Sequence, residues 1–446
     1  MSELQITIVL AVFSAVILAI AFNVVDMAVA ALTGACALIA LGILDTRDIA
    51  EATGSSGGPI GLLFGGMVVA RILGTTGVFA VLGDFFLRAT KGSGKRFLLL
   101  LIAIVAPLCA FLPNATTVVL LAPVIVQVAR ELEVDVVETM ILTAIISNSA
   151  GLLTLVGDPA TFLVGSSIDM TFYAYLRVMS PGGLMALAVV ALLLPWLMPR
   201  VWYTQRPLPD NAPRARIERP IYAGLTLAVL ALMVALFVFG ESLPTRIVPP
   251  AVALIGSALA LLIGYGFRIE PTDNVLRDVD WKTLIFLGSI FCIVQAMTKT
   301  GLLQSLAFSL YHTFGAALLP VAVVMIASIG VLSSLLANVP VAAASILMVK
   351  GYLVAAELVP ETALSAHFAH WPSNSIPVFA AMMFGATLGG NATLIGASAN
   401  IVAAGVCARQ GKSVSFGTFL RYGLPVTVCQ LIASAAYVLV LVWWTR

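Results

Sequence analysis

The sequence predicts an all-α polytopic membrane protein built from two inverted-topology repeats, each with a re-entrant hairpin and a broken transmembrane helix. Three observations carry that expectation. The 446 residues are 61% apolar and only 10% charged, with a mean hydropathy of +1.09, whereas soluble domains are about 25% charged. The charges sit almost entirely between apolar blocks, so no sizeable extramembrane domain remains. The apolar stretch between Arg96 and Arg130 holds 33 residues, too many for one span of about 20 and too few for two. Finally, the same motifs occur twice in the same order.

Taken along the chain, the first apolar block, Leu4 to Phe22, lacks a basic leading region and a small-residue cleavage site, and reads as a span rather than a signal peptide. Spans near 27–44 and 58–80 follow. The hairpin, about 97–130, turns at Pro113-Asn114-Ala115-Thr116-Thr117, where proline removes a backbone donor and the Asn and Thr side chains can satisfy freed backbone groups. A broken helix, about 139–167, is cut by Ser147-Asn148-Ser149-Ala150-Gly151 and again by Gly157-Asp158-Pro159, and a final span ends near 199.

The second half repeats this order. Gly61-Leu-Leu-Phe-Gly-Gly with Thr76-Gly77 returns as Thr283-Leu-Ile-Phe-Leu-Gly with Thr300-Gly301, and Leu112-Pro113-Asn114 as Leu336-Ala337-Asn338. Gly151-Leu-Leu-Thr-Leu-Val-Gly157 returns as Gly390-Asn-Ala-Thr-Leu-Ile-Gly396. The exits match as well, Phe172 to Arg177 with Pro181 against Phe416 to Arg421 with Pro425. The expected plan is therefore a first repeat over 1–199, a linker over 200–220 and a second repeat over 221–446, with its hairpin at about 319–356 and its broken helix at about 377–405.

Five crossings per half is an odd number, so the halves must lie inverted, an arrangement common in secondary transporters. With the first hairpin opening to the cytoplasm, the 23 basic residues divide sixteen to six between the faces, and Arg71 alone is left inside a span. That asymmetry is the positive-inside pattern. It places the arginine- and proline-rich linker in the cytoplasm and the chain in the cytoplasmic (inner) membrane. Cys36, Cys109, Cys292, Cys407 and Cys429 are scattered and read as small buried hydrophobes, not as disulfides or a metal cluster. A net charge of +2 gives no sign of a nucleic-acid partner.

The candidate site lies at the tips and breaks. Asn114 and Asn338 head equivalent tips, and Gly151 and Gly390 let backbone approach a ligand closely, so carbonyls could hold an ion and helix N-termini an anion. Thr116, Thr117, Ser147, Asn148, Ser149, Asn391 and Thr393 supply further neutral oxygens and amides. Asp158 is the sharpest single residue, because it is the only acid in the broken core and its repeat counterpart is Ala397. A carboxylate at that depth is costly unless paired, hydrated or used for a coupling proton or sodium ion, although it could also cap a helix in Gly-Asp-Pro. Arg71 is a candidate counter-ion for Asp158 or contact for an anion, with snorkelling as its bland alternative. Asp26 reads as a charge at a helix N-terminus.

These motifs resemble the ion-transporter superfamily with the citrate-transporter-like domain, nearest to its branch of arsenite efflux permeases, sodium/proton antiporters and P-protein relatives. The most specific parts are Thr154-Leu-Val-Gly-Asp-Pro159 and Gly389-Gly-Asn-Ala-Thr-Leu-Ile-Gly396, each followed by a short amphipathic segment and a final span. The resemblance implies a two-repeat fold with substrate and cation sites at the hairpin tips and helix breaks. It departs from the branch at the tips, where Pro113 and Ala337 stand in place of the usual acids, and after Gly-Asp-Pro, where Ala160 and Thr161 replace a proline and an asparagine.

No intramembrane catalytic set is visible. His312, His367 and His370 fall in or beside expected loops, and neither a His-Glu-x-x-His nor a nucleophile elbow with a membrane histidine occurs. A passive channel, the other rival, is distinguished by flux against a gradient. The expected function is secondary transport of a small inorganic solute, arsenite or antimonite efflux coupled to an ion gradient. The alternatives are sodium- or proton-coupled symport of citrate- or dicarboxylate-like anions and sodium/proton antiport. The partners are then the lipid bilayer and a small anion or neutral oxyacid, with room for a homodimer or an associated ATPase subunit, and no cofactor beyond the coupling ion.

Overall fold

A computed structural model describes residues 3–21, 24–207, 215–364, 368 and 370–445. The middle of the linker and His367 lie outside that range. All regular secondary structure in it is helical, and ten helices are long and apolar enough to cross a membrane. Helices satisfy their backbone hydrogen bonds internally, as a segment surrounded by lipid must.

In the first half, Glu3–Ala21, Met27–Ala40 and Thr46–Gly74 precede a helix pair, Gly94–Cys109 and Asn114–Glu131, joined by a tip at 110–113. Val136–Ala150 and Pro159–Ser167 are the two pieces of the broken helix, and Ser180–Leu197 is the final span. The second half repeats this with Pro220–Phe239, Pro249–Gly266 and Trp281–Lys299, the pair Leu318–Leu335 and Asn338–Ala355, the pieces Ile376–Gly389 and Ser398–Arg409, and Phe416–Trp444. Val136–Ala150 and Ile376–Gly389 are buried on nearly every side, which is where helices without a polar face belong. Glu3–Ala21 is largely exposed, as a lipid-facing helix would be.

Local chemistry recurs with the repeat. Gly77 and Gly301, at φ 78° and 82°, start the short helices Val78–Thr90 and Leu302–Phe314 from a left-handed conformation that glycine adopts without strain. Thr171 and Ser415 each accept the backbone amide three residues on, capping the next helix. The second piece of each broken helix packs on the other half's hairpin, Pro159–Ser167 against Asn338–Ala355 and Ser398–Arg409 against Asn114–Glu131.

The polar pairs sort into two faces. On one, Lys282 meets Asp26 at 2.8 Å, Lys412 meets Asp135 at 2.9 Å and Arg206 meets Glu133 at 2.6 Å. On the other, Lys299 meets Asp45 at 3.2 Å, Gln295 donates to Glu51 at 3.0 Å and Arg246 meets Asp169 at 3.4 Å. Arg71 lies on the first face and Lys299 on the second, although they end matching helices of the two halves, and this is the inversion seen directly. Asp26 accepts from the Ala28 amide at 3.0 Å, and its carboxyl is held below the usual range chiefly by the Lys282 hydrogen bond.

Three features differ from the expected plan. The third helix begins at Thr46, well before the apolar block at 58, because Asp45 and Asp48 form a capping box across its first turn. In the second half the amphipathic segment and final span are one 29-residue helix with Pro425 inside it, whereas in the first they are separated at Met179. The linker begins as a clasp on the base of the first hairpin. There the Gly94 amide donates to the Thr204 carbonyl at 2.9 Å and the Arg206 amide to the Gly92 carbonyl at 2.8 Å. A Cβ on Gly92 would lie 1.8 Å from the Arg206 oxygen, so only glycine fits.

Candidate functional site

The two hairpin tips meet at one carboxylate. Pro113 and Ala337 are extended, at φ −56°, ψ 133° and φ −60°, ψ 143°, and each turns the chain so that the following asparagine opens the second arm. Asn114 Nδ2 donates to Asp158 Oδ2 at 3.2 Å, and Asn338 Nδ2 donates to Oδ2 at 3.2 Å and Oδ1 at 3.4 Å. Asp158 also caps its own helix, accepting from the Ala160 amide at 2.8 Å. The capping and functional readings of this residue are thus not exclusive. Asp158 is 4% exposed and the two asparagines 7% each.

These partners are all neutral. Burying a carboxylate costs several kcal/mol unless it is paired and hydrogen-bonded, so the three amides that face Asp158 are what allow it to stand at this depth. Gly151 makes the approach possible, because a Cβ there would lie 2.9 Å from Asp158 Cβ and 3.1 Å from Asn114 Nδ2. Asn114 Oδ1 is buried without a hydrogen-bond partner, which leaves the first tip with an unused acceptor. Behind it, Cys109 Sγ donates to Ser147 Oγ at 3.2 Å, and Ser147 Oγ to the Asn114 carbonyl at 3.3 Å.

A second polar cluster joins the two breaks to each other. Asn148 Nδ2 donates to Asn400 Oδ1 at 2.9 Å, and Asn400 Nδ2 donates to the carbonyls of Gly390 and Thr393, both at 2.8 Å. Asn391 Nδ2 donates to Ser149 Oγ at 3.1 Å and to Gln430 Oε1 at 2.9 Å. Gln430 Nε2 donates to Ser149 Oγ at 2.8 Å. Of the residues expected as ligands, Ser149 and Asn391 here bond each other, and Asn148 and Gly390 are both bonded to Asn400.

Thr393 donates to the Ser334 carbonyl, as Thr154 does to the Ala110 carbonyl at the equivalent place in the first half; each threonine pins a break to its own hairpin. Thr116 is half-buried and Thr117 buried in the turn that follows Asn114. Arg71 corrects the expectation of a counter-ion for Asp158. Its Nε donates to Asp278 at 2.7 Å and its Nη2 to Glu270 at 3.0 Å, acids 207 and 199 residues away, and those two carboxylates take its charge. Asn400 and Gln430 were missed in the sequence. Gln430 did carry a signal, as a lone carboxamide in an otherwise apolar final span, where a polar side chain is costly unless it has a task.

The citrate transporter family model matches residues 16–370. An uncharacterized transporter of Synechocystis sp. is 42% identical, over 96% of this chain and 96% of its own. One of Mycobacterium tuberculosis is 32% identical over the same shares. The human P protein is 26% identical, over 98% of this chain and 60% of its own. Among solved structures, the YdaH transporter of Alcanivorax borkumensis is similar in fold, with a TM-score of 0.61 at 15% identity, over 90% of this chain and 87% of that one.

Proposed function

This chain belongs to the citrate transporter family, and we propose that it is a secondary active transporter in which Asp158 couples an ion gradient to the passage of a small oxyacid. The observation that carries the reading is that Asn114 and Asn338, one from each repeat, donate to the same carboxylate. Hydrogen bonds to an ionised group are about twice as strong as neutral ones. A proton or sodium ion that neutralises Asp158 therefore loosens both tip amides at once and frees them for solute oxygens. A change of charge at one residue is in this way a change of grip at both tips.

The solute we favour is arsenite or antimonite, exported against its gradient. Near neutral pH arsenite is a neutral trihydroxide, and a site of carboxamides, hydroxyls and backbone groups around one carboxylate suits such a molecule. A polyanion would instead face Asp158, with Arg71 engaged elsewhere. The second reading is symport of citrate or a dicarboxylate with sodium or protons, favoured by the description of the matching family. Sodium/proton antiport rests on Asp158 alone, since the tips carry no acids.

Proteoliposomes with imposed pH and sodium gradients test both levels. Asp158→Asn should abolish gradient-driven accumulation and retain downhill exchange; undiminished uphill transport would place coupling elsewhere. Accumulation of citrate but not arsenite would replace the first solute reading by the second. The orientation we propose, with the linker in the cytoplasm, predicts that a cysteine at Glu218 in a cysteine-free variant reacts with an impermeant maleimide only after cells are opened.

A further inference from the structure

The second polar cluster is buried, built from neutral groups and centred on a residue the transport reading does not use. Gln430 is fully buried and bonds three separate elements. Its Nε2 donates to Ser149 Oγ at 2.8 Å, in the last turn before the first break, and to the Ala186 carbonyl at 3.0 Å, in the first half's final span. Its Oε1 accepts from Asn391 Nδ2 at 2.9 Å, inside the second break. The matching exits of the two halves, Phe172 to Pro181 and Phe416 to Pro425, make Ala186 the counterpart of Gln430 itself. The side chain thus reaches the backbone of its own repeat partner, which happens only where the halves meet at their pseudo-two-fold axis.

We infer that Gln430 is a positioning residue for transport, its carboxamide tying both helix breaks and both final spans into one body that holds Gly151 against Asp158 and Asn114. A glutamine is suited to this because one planar group offers two donors and an acceptor in opposed directions. Ser149 takes both amides and passes its own proton to the Ile145 carbonyl at 2.7 Å, so the last turn of that helix is set from the side by Gln430 and Asn391. Two residues later Gly151 stands at the carboxylate. Asn114 and Asp158 are 3.2 Å apart, so a slip of about 0.5 Å in the break takes them beyond hydrogen-bond reach. The strap to Asn400 from Asn148, the residue before Ser149, closes the same pair of breaks.

The inference rests on the transport reading for its purpose, but its test needs no solute, so the two can fail separately. Cys109 and Cys407 are both fully buried; Cys109 lies behind the first tip, bonded to Ser147, while Cys407 lies near the far end of Ser398–Arg409. Two full-length proteins, each keeping one of these cysteines with the other four replaced by alanine, are reconstituted with and without Gln430→Leu and labelled with N-ethylmaleimide. The expected result is a tenfold or greater rise in the labelling rate of Cys109 and a change within about twofold at Cys407, with no further rise at Cys109 when Ser149→Ala is added. No change at either cysteine, or a parallel rise at both, would overturn the proposal, the second because it marks general loosening. Should Gln430→Leu fail to reach the membrane, Ser149→Ala alone is read against the same two outcomes.

Discussion

The two helix breaks share a backbone and differ in chemistry. Asp158 sits at φ −142°, ψ 142° and Ala397 at φ −148°, ψ 150°; each ends an irregular turn, and each turn is pinned to its hairpin by a threonine, Thr154 or Thr393. The extended conformation at Asp158 is therefore not a product of its capping bond, since alanine adopts it equally. The side chains then part company: in the repeat, Asp158 corresponds to Ala397, Leu152 to Asn391 and Ala186 to Gln430. The first half carries the charge, and most of the amides that fix the breaks together, those of Asn391, Asn400 and Gln430, come from the second, with Asn148 added from the first. The physical reason lies in the axis between them. Two carboxylates at equivalent places would repel and one would be driven neutral, whereas a single one can take an amide from each tip.

Giving the second break a carboxylate should produce the greatest loss. In Ala397→Asp a new buried charge would find both tip amides already committed to Asp158, and breaking or omitting the partner of a buried charge costs about 3–5 kcal/mol. Thermal unfolding in detergent should show a large fall in Tm, and an unchanged Tm would mean that the second break holds donors not accounted for. Next in size is the contrast between Gly151→Ala and Gly390→Ala. The first methyl falls inside the site, 2.9 Å from Asp158 Cβ, which its backbone fixes, and 3.1 Å from Asn114 Nδ2, whose side chain can yield, so it pushes the tip amide off the carboxylate and transport should fall at least tenfold. The second meets the Gly396 carbonyl oxygen at 2.9 Å, backbone that cannot, and overpacking of about 1–3 kcal/mol should appear as lost stability. The reverse order of effects would show that the breaks have been assigned the wrong tasks. Smallest and most symmetrical, Thr154→Val and Thr393→Val should each cost about 1 kcal/mol, measured by the same unfolding; a gap of more than twofold between them would break the equivalence of the two scaffolds.

Much of this architecture was legible in the chain because a bilayer punishes polar backbone. Runs bounded by Arg96 and Arg130, or interrupted by Gly-Asp-Pro, can be built in few ways when every amide needs a partner, and the repeated motifs then impose the inversion. The first tip and Asp158 stood out for the same reason, as polar groups in apolar surroundings. Arg71 did not yield to that logic. Its depth in the sequence was visible, but its partners Glu270 and Asp278 come from the other half, and no spacing rule links residues some two hundred positions apart. The amide cluster escaped similarly: Asn148, Ser149 and Asn391 were singled out as free ligands because a sequence shows donors and acceptors without showing which are used.

Composition and periodicity thus decided that the chain crosses the membrane, where it breaks and that it does so twice, since those are properties of each segment against lipid. Only packing decided which polar groups spend their hydrogen bonds on one another and which remain turned to Asp158. A carboxamide at Gln430 reads the same on paper whether it faces a solute or the carbonyl of Ala186. The difference is set by the approach of two helices at an axis, and that geometry exists only once both halves have folded together.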